Sequence, residues 1–305
     1  MSVSEIYKKT LKFGFIKMGI QGVVLAVSLV TLAICAGLGA LLKSSTISLI
    51  LLLVWIIVTA VVYRMALSYM GYMIRAAHVA IVSKAVTEGV IPDNMVEVGK
   101  QMVQERFGAT NTYVVINHLI NGAVRQLQNV VNRVDNLLDG IPGVDKLMDV
   151  IKVFLRIFLG YIDECCLGYT FYKKGEDAFK CGCDGVVIYF QNAKHLLKSA
   201  LVTSVLVVVL TFISWFAPFL IFAGLLKLFG LSSAYGVAAV ISILIAIAVK
   251  EAFIDPFILV QTMTAYMEVA PQTEITVDLY DKLSGMSAKF KELLGRARRE
   301  VGNVI

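Results

Sequence analysis

The run Met18–Leu42, MGIQGVVLAVSLVTLAICAGLGALL, carries no charged side chain across 25 residues. Roughly 20 apolar residues wound as a helix cross the hydrocarbon core of a bilayer. Three further uncharged runs follow: Ser44–Tyr63 with 20 residues, Ser199–Leu226 with 28 and Leu228–Val249 with 22. Buried helices of a water-soluble core need only about 10–14 apolar residues, so runs of this length point to a membrane. The chain is 58% hydrophobic and 16% charged, whereas a soluble domain carries about a quarter charged residues. In hydrocarbon each backbone N–H and C=O must find its partner within the protein, which selects helix over open strand. The expected fold is an all-α integral membrane protein: two transmembrane helical hairpins (four spans) flanking a helical cytoplasmic middle region.

Basic residues set the expected orientation. Lys8, Lys9, Lys12 and Lys17 precede the first run, while the turns inside the two hairpins hold only Lys43 and Lys227. Positive charge collects on the cytoplasmic side, so both termini and the middle of the chain are expected there. The divisions are a basic amphipathic segment at 1–17, a first hairpin at 18–70, a cytoplasmic helical region at 71–198, a second hairpin at 199–259 and a basic tail at 260–305. The net charge of +6 suits an anionic leaflet and does not call for nucleic acid. The partners expected are therefore the bilayer, anionic lipid headgroups contacted by Lys8, Lys9 and Lys12, and further copies of the chain. Pro218, inside the third run, is expected to bend it.

The middle region has helical periodicity. Pro92 and Asp93 precede NMVEVGKQMVQERFG, which closes on Gly108. Beyond it, Tyr113, Ile116, Ile120, Ala123, Leu127, Val130, Val134 and Leu137 alternate three and four apart. Such a stripe serves either a coiled-coil partner or the interior of its own domain. Leu147–Ile162 is apolar except for Asp149, Lys152 and Arg156, which share one helical face. That pattern suits an interfacial helix whose Lys152 and Arg156 reach headgroups, or a core helix of the cytoplasmic region. KLSGMSAKFKELLGRARRE near the C-terminus is a second, more polar basic helix.

No phosphate-binding Gly-rich loop and no G-x-S-x-G are present, and His78, His118 and His195 lie far apart. Enzymatic activity is not expected. Glu251 and Asp255, four apart at the end of the fourth run, form the candidate ligand- or ion-binding pair, against the simpler reading that they mark the water boundary. Four of the five cysteines fall within 25 residues, as Cys165–Cys166 and Cys181-x-Cys183. On the cytoplasmic side they stay reduced. The spacing lacks C-x-x-C knuckles, so zinc on Cys165, Cys166, Cys181 and Cys183 stands second to a juxtamembrane strip open to acylation. No other cofactor is expected.

Three stretches carry a family likeness: IRAAHVAIVSKAVTEG (Ile74–Gly89), DECCLGYTFYKKGEDAFKCGCDGVVIYFQNAKHLLKSALV (Asp163–Val202) and FIDPFILVQTMTAYMEV (Phe253–Val269). Together they resemble, over about half of the chain, the choline transporter-like membrane proteins. The resemblance implies a helical membrane protein that moves a small cation or amine. Two functions are expected to compete: an oligomeric transporter or channel, and a non-transporting scaffold that shapes membranes with tight hairpins and amphipathic helices. The polar residues inside the runs, among them Gln21, Thr31, Ser48, Thr59 and Thr203, form no obvious single stripe, and Trp55 is assigned to packing.

Overall fold

The structure, a computed structural model, describes residues 1–42, 44–65, 72–108, 110–135, 161–230 and 235–302. All regular structure among them is helical: α1 (Val3–Leu42), α2 (Ser45–Met65), α3 (Tyr72–Glu88), α4 (Met95–Phe107), α5 (Thr110–Asp135), α6 (Ile162–Tyr172), α7 (Ala178–Gln191), α8 (Ala193–Leu228), α9 (Tyr235–Val249), α10 (Asp255–Val269), α11 (Val277–Met286) and α12 (Ala288–Gly302). A π-helical turn, Lys250–Ile254, joins α9 to α10. Among the described residues three helices are long and apolar enough to cross a membrane: Val3–Gly39, Thr46–Met65 and Val205–Leu228. The fourth apolar run contributes α9, of 15 residues, and passes through residues 231–234, outside those described. Pro218 sits inside α8 without ending it.

On α2 the side chains of Leu49, Leu53, Ile57 and Val61, four apart, are each more than half exposed. Water leaves few such apolar faces bare, whereas hydrocarbon covers them at no cost.

The chain divides into two compact units. One comprises Met1–Thr10, Ala77–Ile213 and Ile254–Ile305; the other comprises Leu11–Ala76 and Ser214–Phe253. In the first, α6 and α7 cross closely: a Cβ on Gly185 would lie 3.0 Å from the Cα of Cys166. Around this pair the remaining helices are tied by side chains. Tyr266 of α10 donates to the Gly185 carbonyl at 3.0 Å, and Ser83 of α3 donates to that of Gly168 at 2.8 Å. Arg106 of α4 donates through Nε to the Thr170 carbonyl at 2.7 Å, satisfying an acceptor at the end of α6. α4 itself starts after Asn94 and closes on Gly108, whose φ of 60° explains the glycine.

The α5 stripe has an internal use. Tyr113, Ile116, Ile120, Ala123 and Leu127 are buried, and α5 packs on α6, α7 and α12. Side-chain packing of Val130 and Val134 is not described, and Leu137, Lys152 and Arg156, with the interfacial helix expected around the last two, lie outside the described residues. The C-terminal basic helix is packed too: α12 buries Phe290, Leu293 and Ala297 against α5 and α7.

Ser287 caps α12, its Oγ accepting from the Phe290 N–H at 3.0 Å and donating to Gln126 Oε1 at 2.7 Å. Gln126 Oε1 also accepts the Lys289 N–H at 3.0 Å. Ser287→Ala is expected to weaken the docking of α12 by about 1–2 kcal/mol. Hydrogen exchange checks this: α12 amides should exchange faster while those of α2 keep their rate.

Candidate functional site

In the second unit the polar side chains of α1 and α2 meet along their contact. Gln21 and Ser28 are seven apart on α1, and Trp55, Thr59 and Tyr63 are four apart on α2, so each set occupies one helical face. Ser28 Oγ and Thr59 Oγ1 are hydrogen-bonded at 3.0 Å. Trp55 Nε1 donates to the Ser28 carbonyl at 2.8 Å, and Thr31 Oγ1 donates to it at 2.9 Å. Trp55 thus has a polar role beyond the packing expected of it. These bonds tie α1 to α2 where alternative partners are scarce.

Glu251 lies at one end of this polar line. It sits in the π-helical turn and accepts from Gln21 Nε2 and, at 3.3 Å, from the Tyr63 hydroxyl. Gln21 Oε1 is buried with no hydrogen-bond partner among the described residues. A carboxylate beside an unpaired amide oxygen is an acceptor-rich, oxygen-lined site suited to a cation or a cationic N–H. The close seat of the turn requires a glycine opposite it: a Cβ on Gly14 would fall 2.2 Å from the Ala252 carbonyl oxygen.

Asp255, expected to pair with Glu251, falls in the first unit, where it accepts from the Tyr161 hydroxyl at 2.7 Å. Lys8, Lys9 and Lys12 are exposed on α1, Lys9 pairing with Glu5 at 3.2 Å.

The cysteines differ from the expected surface strip. Cys165 and Cys166 lie on α6, Cys181 and Cys183 on α7, and all four are buried as free thiols in the first unit. They alternate with glycines and apolar residues at the helix crossing, where small polarizable side chains fit. Burial pushes Cys181 up to about 12, although Arg106 Nη2 lies 3.4 Å from its sulfur. Burial likewise raises Cys165, Cys166 and Cys183. Among the described residues no group of three or more His, Cys, Asp and Glu is arranged to hold a metal ion.

Two buried networks of the first unit had no sequence signal beyond isolated polar residues. Asn121 Nδ2 donates to Asp163 Oδ2 at 2.9 Å. Asp184, 3% exposed, accepts from the Tyr280 hydroxyl and from Lys180 Nζ at 3.3 Å, tying α11 to α7. Comparison with family models, curated proteins and solved structures returned no match.

The thiols generate one prediction. With little thiolate at neutral pH and no access, Cys165, Cys166, Cys181 and Cys183 should resist iodoacetamide in the folded protein and react once it is denatured. Intact mass before and after unfolding checks this; ready alkylation of any of the four in the native state would refute the buried placement.

Asp184 generates another. Burial outweighs the Tyr280 hydrogen bond and the Lys180 charge and raises its carboxyl above the ordinary value. The native chain then holds this proton more tightly than the unfolded one. That stability is full below about pH 4 and is lost as the pH rises through the raised value. The Tyr280 hydrogen bond matters most to the ionised form. Tyr280→Phe should therefore cost about 1–3 kcal/mol at pH 8 and distinctly less near pH 4. Thermal melts of the detergent-solubilised pair at the two pH values measure the difference.

Proposed function

We propose that this chain is a multi-pass membrane transporter or channel-like protein for a small cation or amine, acting as a homo-oligomer. In this reading its two hairpins cross the bilayer four times and both termini are cytoplasmic. One observation carries the proposal: Glu251, at the end of a polar line between apolar helices, is held by Gln21 and Tyr63 from two other helices. A carboxylate beside membrane spans is a functional candidate because keeping it there is costly without partners. The π-helical turn that carries it is a backbone irregularity frequent at functional sites. Oligomerisation follows from the small polar volume that a few thin spans enclose. The asymmetry of basic residues supports the orientation, and the likeness to choline transporter-like proteins supports the class of cargo.

The scaffold reading has less support. A leaflet-wedging helix needs a free apolar face, and α12 uses Phe290, Leu293 and Ala297 inside its own unit.

Proteoliposome uptake of sodium, potassium and methylammonium tests the proposal. Glu251→Gln is expected to slow uptake roughly tenfold or more, equivalent to about 1.4 kcal/mol. Asp255→Asn, outside the site, should keep wild-type uptake. Wild-type rates from the Glu251 variant would remove the site. The absence of flux from well-inserted wild-type protein would remove the transport function.

A further inference from the structure

α12 presents two stripes with opposite uses. Phe290, Leu293 and Ala297 face inward and are buried. On the other side run Ala288, Lys291 and Gly295, with Arg298 at the edge nearer α7, where its charge reaches buried Cys183, and Arg299 alongside, its Nε donating to the Gly295 carbonyl at 3.2 Å. Ala288, Lys291, Arg298 and Arg299 are exposed, and a Cβ on Gly295 would meet nothing within 4 Å. No bulky apolar or acidic side chain interrupts this stripe. Two acids lie beside it: Glu292, at its flank, is engaged by Lys289 at 2.9 Å and Arg296 at 3.3 Å, and Glu300 is exposed next to Arg299. Lys291, Arg298 and Arg299 make no ion pair among the described residues. The outer side of the helix is thus a flat row of cations separated by small residues, over which a plane of phosphates can approach the backbone closely.

We infer that this face of α12 is a contact surface for anionic lipid headgroups, acting by charge alone. Insertion into the leaflet is excluded while the apolar stripe is packed on α5 and α7, so the contact must weaken with salt. Three cations make a weak site for a free macromolecule, which has to overcome the entropy of association. A bilayer in which the same chain is embedded meets them at high local concentration, where each basic residue adds its own attraction. The inference rests on the chain being embedded in a membrane and is independent of whether it moves cations.

Lysine footprinting of the full chain in nanodiscs tests it. Wild-type protein is placed in neutral phosphatidylcholine or in phosphatidylcholine mixed with phosphatidylserine, treated with an amine-reactive acetylating ester and read residue by residue by mass spectrometry. Lys291 is expected to react about fivefold more slowly on the anionic discs. Protection should disappear in about 0.5 M salt. Lys100, exposed on α4, reports the general effect of the charged surface on the reagent. In the Arg298→Glu, Arg299→Glu double variant Lys291 should react equally on both discs. Both replacements lie on the exposed face, so an unchanged melting temperature confirms that α12 remains docked. Equal modification of wild-type Lys291 on both discs overturns the inference. So does equal protection of Lys100, or protection of Lys291 that survives high salt or persists in the double variant. An acidic soluble protein protecting Lys291 on neutral discs, with no effect of anionic lipid, would assign the surface to another partner and overturn it as well.

Discussion

The first unit depends on one close crossing of helix backbones. α6 and α7 approach so nearly at Cys166 and Gly185 that a side chain on Gly185 would push them apart. The approach turns two short helices into a single slab, to which α3, α4 and α10 are tied through Ser83, Arg106 and Tyr266 and onto which α5 and α12 pack. Slabs that thin admit only small side chains at the seam, which accounts for cysteines and glycines there. A buried thiol in this setting behaves as a small apolar group whose reactivity is suppressed by desolvation. The close packing of the cysteine-rich segment thus accounts for the small side chains at this crossing.

The second unit obeys a different constraint. Hydrocarbon supplies no hydrogen-bond partners, so polar side chains on its helices must satisfy one another. Ser28, Thr59 and Trp55 do so across α1 and α2. Near Glu251 the pairing is incomplete, since Gln21 offers one amide group to the carboxylate and keeps a buried oxygen unpaired. Buried polar atoms are nearly always matched, and Gln21 Oε1 is one of several among the described residues that are not, Gln191 Oε1 and Ser284 Oγ being others.

How far the sequence was legible depended on the range of the interactions involved. The helical character, and a length and apolarity sufficient to cross a membrane, were readable from Met18–Leu42 alone, because length and lack of charge are local properties. α4 was readable to within a residue or two, its end marked by a glycine that the left-handed backbone at Gly108 needs. The stripe of α5 was visible, but its partner was not. Tyr113 and Ile116 look the same whether they face a second copy or their own unit, and only tertiary packing shows Tyr113 against Phe107 and Ile116 beside Gly182. The polar line between α1 and α2 escaped for a related reason. Gln21 and Ser28 are seven apart and Trp55, Thr59 and Tyr63 four apart, a periodic signal present in the sequence. Each face carries only two or three polar residues, however, and nothing local says that the two faces meet.

Glu251 and Asp255 show the same limit at shorter range. Four residues apart in an uninterrupted α-helix, two carboxylates share a face. Glu251 sits in the π-helical turn Lys250–Ile254, and Asp255 opens the α-helix that follows it. Glu251 accepts from Gln21 and Tyr63 in the second unit, and Asp255, opening α10, accepts from Tyr161 in the first. Pro256, at the first position of α10 after Asp255, contributes to the break because it has no N–H to donate back into the preceding turn. A proline tolerated at a helix start thus directly follows the irregular turn that carries Glu251.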